Sequence, residues 1–349
     1  MIALWYGILA FMLATYLVLD GRNFGVGILH RVVARTPLER RQVIAALGPL
    51  WSWHEVWLVG FGGVLIMAFP RFMAAAFSGY YLALFLVLWC ILLRGLSIEV
   101  GGHLNNKLWQ DFWDVVFFGS NVLLAILFGA ALGNAVRGVP LQEDGTFYLT
   151  FFTHFRVTGE VGLLDWYTLS VAGFFALVLT AHGATYLVMR TEGPVQERAK
   201  RWQVRLWFAA IPAFALISLL THRVRPELFH EISGRPLAWL TVGLAAVGAL
   251  GLVSGVRAGR EKRALAGSTF FLFGLIMTGA AALFPVFFFS TKDPHFQLLA
   301  ADSAAPLGNL RIACYWWFPA LALAVTYLLI IQRHYSGKVN VAQDNQGLY

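Results

Sequence analysis

Long apolar runs separated by short polar segments dominate the chain. Nine can be placed, at about Ala3–His30, Trp51–Phe72, Ser78–Ile98, Phe112–Asn134, Leu163–Met189, Val204–His222, Leu237–Val256, Ser268–Ser290 and Leu310–Gln332. Each is close to the roughly 20 residues that a helix needs to cross a hydrocarbon layer. Inside a bilayer every backbone N–H and C=O must be satisfied within the protein, so runs of this length fold as helices. The pattern predicts an all-α polytopic membrane protein with about nine transmembrane helices, arranged as two four-helix bundles plus one peripheral helix. The expected division is a first bundle over 1–135, an extracytoplasmic loop over 136–162, a second bundle over 163–290, and a final helix with a cytoplasmic tail over 291–349.

Loop charge sets the expected orientation. With the N-terminus outside, the cytoplasmic segments hold Arg31, Arg35, Arg40, Arg41, Arg94, Lys107, Arg190, Arg198, Lys200, Arg201, Arg205, Arg257, Arg260, Lys262, Arg263, Arg333 and Lys338, seventeen basic residues. The outer segments hold Arg71, Arg137, Arg156, Arg223, Arg225, Arg235, Lys292 and Arg311, which is eight. The positive-inside rule therefore puts the N-terminus outside and the C-terminus in the cytoplasm. No basic segment precedes Leu4–Leu19 and no small-residue cleavage site follows it, so the first run is expected to be a retained span.

An internal echo accompanies the two-bundle expectation. LVLDGRNFGVG from Leu17 and LTAHGATYLVM from Leu179 each carry an ionisable residue followed by glycine and, three residues on, an aromatic; Asp20 and His182 are 162 residues apart. Parallel repeats of this kind occur in transporters, and chance similarity between two apolar helices is the competing explanation. Small residues let helix backbones approach in a bilayer, so Gly21 and Gly25, Gly129 and Gly133, and Gly251, Gly255 and Gly259 are expected at helix contacts.

Composition agrees with the pattern. Of 349 residues 59% are apolar and only 13% charged, with a mean hydropathy of +0.68, whereas soluble domains carry about a quarter charged residues. The formal charge of +8 resides in short loops, where it specifies orientation and does not point to nucleic acid. Cys90 and Cys314, both in apolar runs, support neither a disulfide framework nor a metal cluster, and no CxxCH stretch offers covalent haem attachment.

Ionisable residues within spans are costly and mark bundle interiors or water-filled paths. The proton-path candidates are Asp20, Ser52, His54, Glu55, Glu99, Asp114 and His182, all expected in the cytoplasmic half. Asp20 is about ten residues, roughly 15 Å, above the inner end of the first span. Such a one-sided collection suits a half-channel that takes protons from the cytoplasm. The bland readings are that His54 and Glu55 sit solvated at the interface among Trp51, Trp53 and Trp57, and that Asp20 and Arg22 form a structural pair. A zinc-protease reading of His54-Glu55 fails because residue 58 is leucine. An isolated intramembrane histidine, such as His54 or His182, is more often a helix contact than a haem ligand.

Several stretches together resemble subunit II of the cytochrome bd-type quinol oxidases. DGRNFGVGIL followed by LERR is similar to that subunit's first span, which usually reads DGFDxGVG. WSWHEVWLVGFGG through FPRFMAAAFSGYYLAL resembles its WDGNxVWL…GG…FPxxYAxxFSGFYxA pattern, and WQDFWDVVFFGSN, FGAALGNAVRGVPL and GATYLVMRTEG follow in order. The resemblance covers the whole chain and is most specific from Asp20 to Arg190. It implies a prokaryotic cytoplasmic-membrane complex that oxidises a membrane quinol and reduces dioxygen. It further implies that haem b and haem d belong to a partner subunit I and none is ligated by this chain, whose own tasks are assembly, shielding and, in some members, a proton route or a lodged structural quinone. Small accessory membrane subunits remain open.

Two departures bear on the chemistry. The second aspartate of DGFD is Asn23, and the aspartate of WDGN, a usual candidate for proton uptake in the family, is Ser52, with Trp53 for glycine and His54 for asparagine. His54-Glu55 is therefore expected to restore a titratable pair, since an imidazole titrates near neutral pH. The alternative function is a stand-alone secondary transporter with parallel helical repeats, whose broken helices Pro212, Pro285 and Pro319 would supply.

Overall fold

Uninterrupted runs of Leu, Ile, Val, Phe and Trp dictate the helices, and prolines or polar segments mark most of their ends. The computed structural model describes residues 1–339. In chain order it has α1 (Ile2–Leu19), α2 (Gly21–Val33), α3 (Pro37–Leu47), α4 (Leu50–Ala68), α5 (Pro70–Gly79), α6 (Tyr81–Val100), α7 (Lys107–Arg137), α8 (Trp166–Arg190), α9 (Gly193–Val224), α10 (Glu227–Gly234), α11 (Pro236–Arg257), α12 (Glu261–Leu283), the short strands β1 (Val286–Phe288) and β2 (Leu298–Leu299), α13 (Ala300–Ser303) and α14 (Leu307–His334). Among the described residues nine helical segments are long and apolar enough to cross a membrane, with α1 and α2 forming one of them. All nine expected spans are present. The last part of the expected tail, 340–349, lies outside the described residues.

The boundaries differ where chemistry other than hydropathy decides. Phe284-Pro285 ends α12, so the apolar VFFF that follows is not helix but a strand, β1, paired antiparallel with β2. α9 starts eleven residues before the expected Val204, because PVQERAKRWQV is a good helix former although too polar to sit in lipid. Pro70 ends the second span and opens α5.

Two helices organise the interior. α8, the most buried span, packs against α2, α7, α9 and α12; α2 packs against α7 as well as α8. The α2–α8 crossing is made by glycine: a Cβ at Gly25 would lie 2.1 Å from the Leu179 carbonyl oxygen and 2.9 Å from Gly183 Cα. The expected Gly21, Gly129 and Gly133 contacts are also close approaches, to Leu179, Ala172 and Thr168. In the α11–α12 hairpin the tightest positions are Gly248, Gly255, Gly267 and Gly274. Gly259 instead has φ +64° in the turn that follows α11, so the expected four-residue glycine period is only partly used. α14 is the peripheral helix, held by the Trp5 indole donating to the Leu310 carbonyl (3.0 Å) and by Trp53 against Tyr327.

One end of the bundle, called here the basic end, gathers α3 and the termini of α2, α4, α6, α7, α8, α9, α11, α12 and α14 that carry most of the loop arginines and lysines. α3 is closed by a capping box of Thr36 and Glu39, and Glu39 also pairs with Arg198 of α9 at 2.6 Å. Burial pushes the Glu39 carboxyl up, but Arg198 and the backbone N–H groups of Arg35 and Thr36 pull it further down, to below the usual carboxylate range. A depressed carboxylate stabilises fully above its unfolded value and loses that contribution as pH falls through its folded one. Glu39→Ala is therefore expected to loosen α3 by about 1 kcal/mol at neutral pH, read as faster hydrogen exchange of α3 amides. The native chain should approach the same rate only in acid.

Candidate functional site

The first span is interrupted at Asp20, between α1 and α2, and the interruption sits inside a polar cluster built by four helices. Asp20 is completely buried. Arg94 Nη1, from α6, donates to both of its carboxylate oxygens at 2.8 Å, and Arg94 Nη2 donates to Glu55 of α4. The Asn23 side-chain amide, one turn along α2, is 2.7 Å from Asp20 Oδ1 and 2.8 Å from His54 Nδ1 of α4. Arg22 Nη2 lies 2.9 Å from the other ring nitrogen of His54. Two aromatic faces complete the shell, Phe24 under the Arg94 guanidinium and Tyr186 of α8 under that of Arg22.

Charge explains why such a cluster survives among apolar helices. A buried ion is tolerated only when paired and hydrogen-bonded. Here one guanidinium serves the carboxyl groups of two residues and a second guanidinium is placed on an imidazole nitrogen. Arg94 and Asp20 are fully enclosed, whereas the Glu55 side chain keeps 23% of its surface. Glu55 is thus the point at which the cluster reaches the surface of this chain.

The other sequence candidates are distributed differently. Ser52 is exposed and its hydroxyl donates to the Pro49 carbonyl at 3.2 Å, finishing its own helix start. Glu99 is exposed at the end of α6 and takes no part. Asp114 of α7 belongs to a second group at the basic end, where it accepts from His30 Nε2 at 2.8 Å and from Arg40 at 2.6 Å, and Arg40 also reaches Asp111 at 2.9 Å. His182 stands apart. One ring nitrogen is 2.8 Å from Ser268 Oγ of α12 and the other 3.2 Å from the Val18 carbonyl, so it ties α8 to α12 and to the end of α1.

Three sequence expectations change. Asp20 pairs with Arg94, and Arg22 turns instead to His54. His54 and Glu55 do not form one pair: neighbours on a helix point about 100° apart, and each finds a different arginine. Arg94, counted among loop cations, is inside α6 and fully buried. Its signal was present, a lone arginine in the apolar run LWCILLRGLSI. His30 gave none, because its partner is 84 residues away. At the opposite end the buried pair Arg137–Asp165 also escaped the sequence reading; Asp165 caps α8 while Arg137 additionally donates to the Gly162 carbonyl at 2.8 Å. Ionisable residues are therefore buried at both ends. Among the described residues no group of three or more His, Cys, Asp or Glu is set to hold a metal ion.

The family model for cytochrome bd terminal oxidase subunit II matches residues 1–334. The chain belongs to that family. It is 28% identical over 352 residues to a probable cytochrome oxidase subunit 2 of Haemophilus influenzae, covering 93% of this chain and 92% of the relative. It is 30% identical over 337 residues to the cytochrome bd-I ubiquinol oxidase subunit 2 of Escherichia coli K12, covering 88% and 87%. The solved bd oxidase of Geobacillus thermodenitrificans contains a chain of the same fold, with a TM-score of 0.74 at 15% identity over 96% of this chain and 98% of that one. As a subunit II the chain is part of a quinol oxidase complex whose haems and catalytic partner subunit complete the enzyme. It is a multi-pass bacterial membrane protein of the all-α class. The stand-alone transporter alternative is set aside.

Proposed function

We propose that this subunit II holds a haem-bearing subunit I in place and supplies it with protons taken up from the cytoplasm, without ligating haem itself. Haem b and haem d then reside in subunit I, which also oxidises the membrane quinol; the ubiquinol named for the Escherichia coli relative is the model donor. The chain lies with its N-terminus outside and its basic end in the cytoplasm. Subtracting the buried Arg94 and Arg137 removes one residue from each side of the positive-inside tally, so the asymmetry persists. The bundles 1–135 and 163–290 join at the α2–α8 crossing. A structural quinone and small accessory subunits are compatible with this reading and unsupported by any side chain described.

What supports the proton role is the cluster of Asp20, Arg94, Glu55, His54 and Asn23, in which Glu55 is the partly exposed member. Titratable groups linked by hydrogen bonds need only one mobile proton to become a relay. The saturation of Asp20 by Arg94 and Asn23 favours a second reading, a purely structural clamp. A His54→Gln/Glu55→Gln double variant, which removes both titratable groups but leaves an acceptor for each arginine, separates the two. The expected result is a fully assembled complex with haem bands intact in its reduced-minus-oxidised spectrum and oxygen-linked proton uptake slowed by about 100-fold, the lower end of what a positioned acid–base group contributes. Unchanged turnover and charge translocation would leave only the clamp.

A further inference from the structure

We propose that Asn23 is a positioning residue whose side-chain amide ties the protonation state of Asp20 to the tautomer of His54. The inference rests on the proton-conducting reading of this cluster and concerns how its members are coupled. A guanidinium can only donate, so His54 Nε2, 2.9 Å from Arg22 Nη2, must accept. The neutral imidazole then carries its proton on Nδ1. That N–H points at the end of the Asn23 amide 2.8 Å away where the structure places Nδ2, so this tautomer requires the amide to be turned over, with its carbonyl oxygen at that position. The oxygen and nitrogen ends of a carboxamide have the same shape, and the partners decide which faces where.

The same Asn23 atom is 2.7 Å from Asp20 Oδ1. Two acceptors at that distance need a proton between them, so Asp20 is a carboxylic acid whenever Arg22 holds His54. Arg94 keeps a counter-ion in that state, because Glu55 is its second partner. When Asp20 is ionised, the amide has to turn its NH₂ toward both neighbours. His54 Nδ1 then accepts, the ring proton is on Nε2, and Arg22 loses its acceptor. The two states differ by one proton, carried on Asp20; the imidazole has one N–H in both, on Nδ1 in the first and on Nε2 in the second.

Charged and titratable groups face Asn23, Asp20 and His54 from α1, α4, α6 and α8. Tyr16 of α1 has a buried hydroxyl directed at Asp20. Arg94 of α6 and Glu55 of α4 face Asp20, while Tyr186, Arg190 and His182 of α8 surround Arg22. Among the described residues Asn23 alone hydrogen-bonds both the acid and the imidazole. Its amide is the physical link, and a carboxamide is suited to it because it offers a donor end and an acceptor end.

The purified complex with ¹⁵N-histidine decides the matter, the His54 signals being assigned by their loss in His54→Gln. On acidification the His54 proton is expected to move from Nε2 to Nδ1, with the midpoint at which a protonated-carboxyl band, absent in Asp20→Asn, rises in the infrared spectrum. In Asn23→Leu the carboxyl band should still titrate while the tautomer no longer follows it. Asp20→Asn should hold one tautomer at every pH, which serves should the leucine variant fail to assemble. A native His54 tautomer that stays constant through the Asp20 titration overturns the proposal, as does a tautomer that still switches in Asp20→Asn. Neither readout depends on proton delivery to the partner, so loss of the proton-conducting reading and loss of this coupling are distinguishable.

Discussion

Arg94→Met is expected to prevent accumulation of the assembled complex. The substitution removes the shared cation of Asp20, which is fully enclosed, and of Glu55, which is mostly so. Removing one member of a buried ion pair costs about 3–5 kcal/mol, because the remaining charge is left without compensation. Folding free energies are only about 5–15 kcal/mol in all, and here two enclosed carboxyl groups lose their shared donor at once. An ionised carboxylate can escape by taking up a proton, and Asp20 then keeps the Asn23 amide as a partner, but the geometry that Arg94 imposed on both groups is lost. Arg94→Lys should be intermediate, since an ammonium is a point charge and lacks the fork that reaches Asp20 and Glu55 together. The informative comparison is a triple variant, Arg94→Met/Asp20→Asn/Glu55→Gln. Replacing a buried ionic group as a unit is often close to neutral, so the triple variant should recover much of the assembled yield that the single one loses. Yield of haem-loaded complex from membranes is the measurement. An Arg94→Met complex of native yield and thermal stability would mean that the cluster does not need its cation.

How far the sequence led differs between fold and site. Hydropathy placed all nine spans because the bilayer leaves the backbone little choice. It overran at Ser290 because an apolar stretch after Pro285 reads as span whether it is helix or strand. Asp20, His54 and Glu55 were found by a rule about single residues, that an ionisable group within a span calls for an explanation. Their partners were not, since pairing is a property of helix register. Asp20 and Arg94 are 74 residues apart, so no local pattern in the sequence points from one to the other. The adjacency of His54 and Glu55 in sequence suggested a unit that the helix separates. The departures from the family pattern are more coherent in space than in sequence. Asn23 and His54, on different helices, are in contact, while Ser52 has left the cluster for the helix start.

Gly25→Leu tests the scaffold on which this cluster stands. A Cβ at position 25 would meet the Leu179 carbonyl oxygen at 2.1 Å and Gly183 Cα at 2.9 Å. Both are backbone atoms in the middle of α8, so neither can swing aside as the tip of a side chain could, and the helices must separate. Overpacking of this kind costs about 1–3 kcal/mol when neighbours can adjust, and the value expected here is at or above the top of that range. The consequence is also chemical. Arg22 and Asn23 are within one turn of Gly25 on α2, and His182 adjoins Gly183 on α8, so a displaced crossing pulls Arg22 away from the Tyr186 ring and Asn23 from His54. Gly173→Leu, on α8, is the control: its position is exposed, with nothing within 4 Å of an added Cβ. The expected outcome is a large loss of assembled complex and of thermal stability for Gly25→Leu, little change for Gly173→Leu, and an intermediate effect for Gly25→Ala, which introduces the clash with the least additional bulk. Equal behaviour of the two leucine variants would show that α2 and α8 are not in backbone contact in the membrane, and the close approach of α2 to α8 could no longer be what sets the register of the first span.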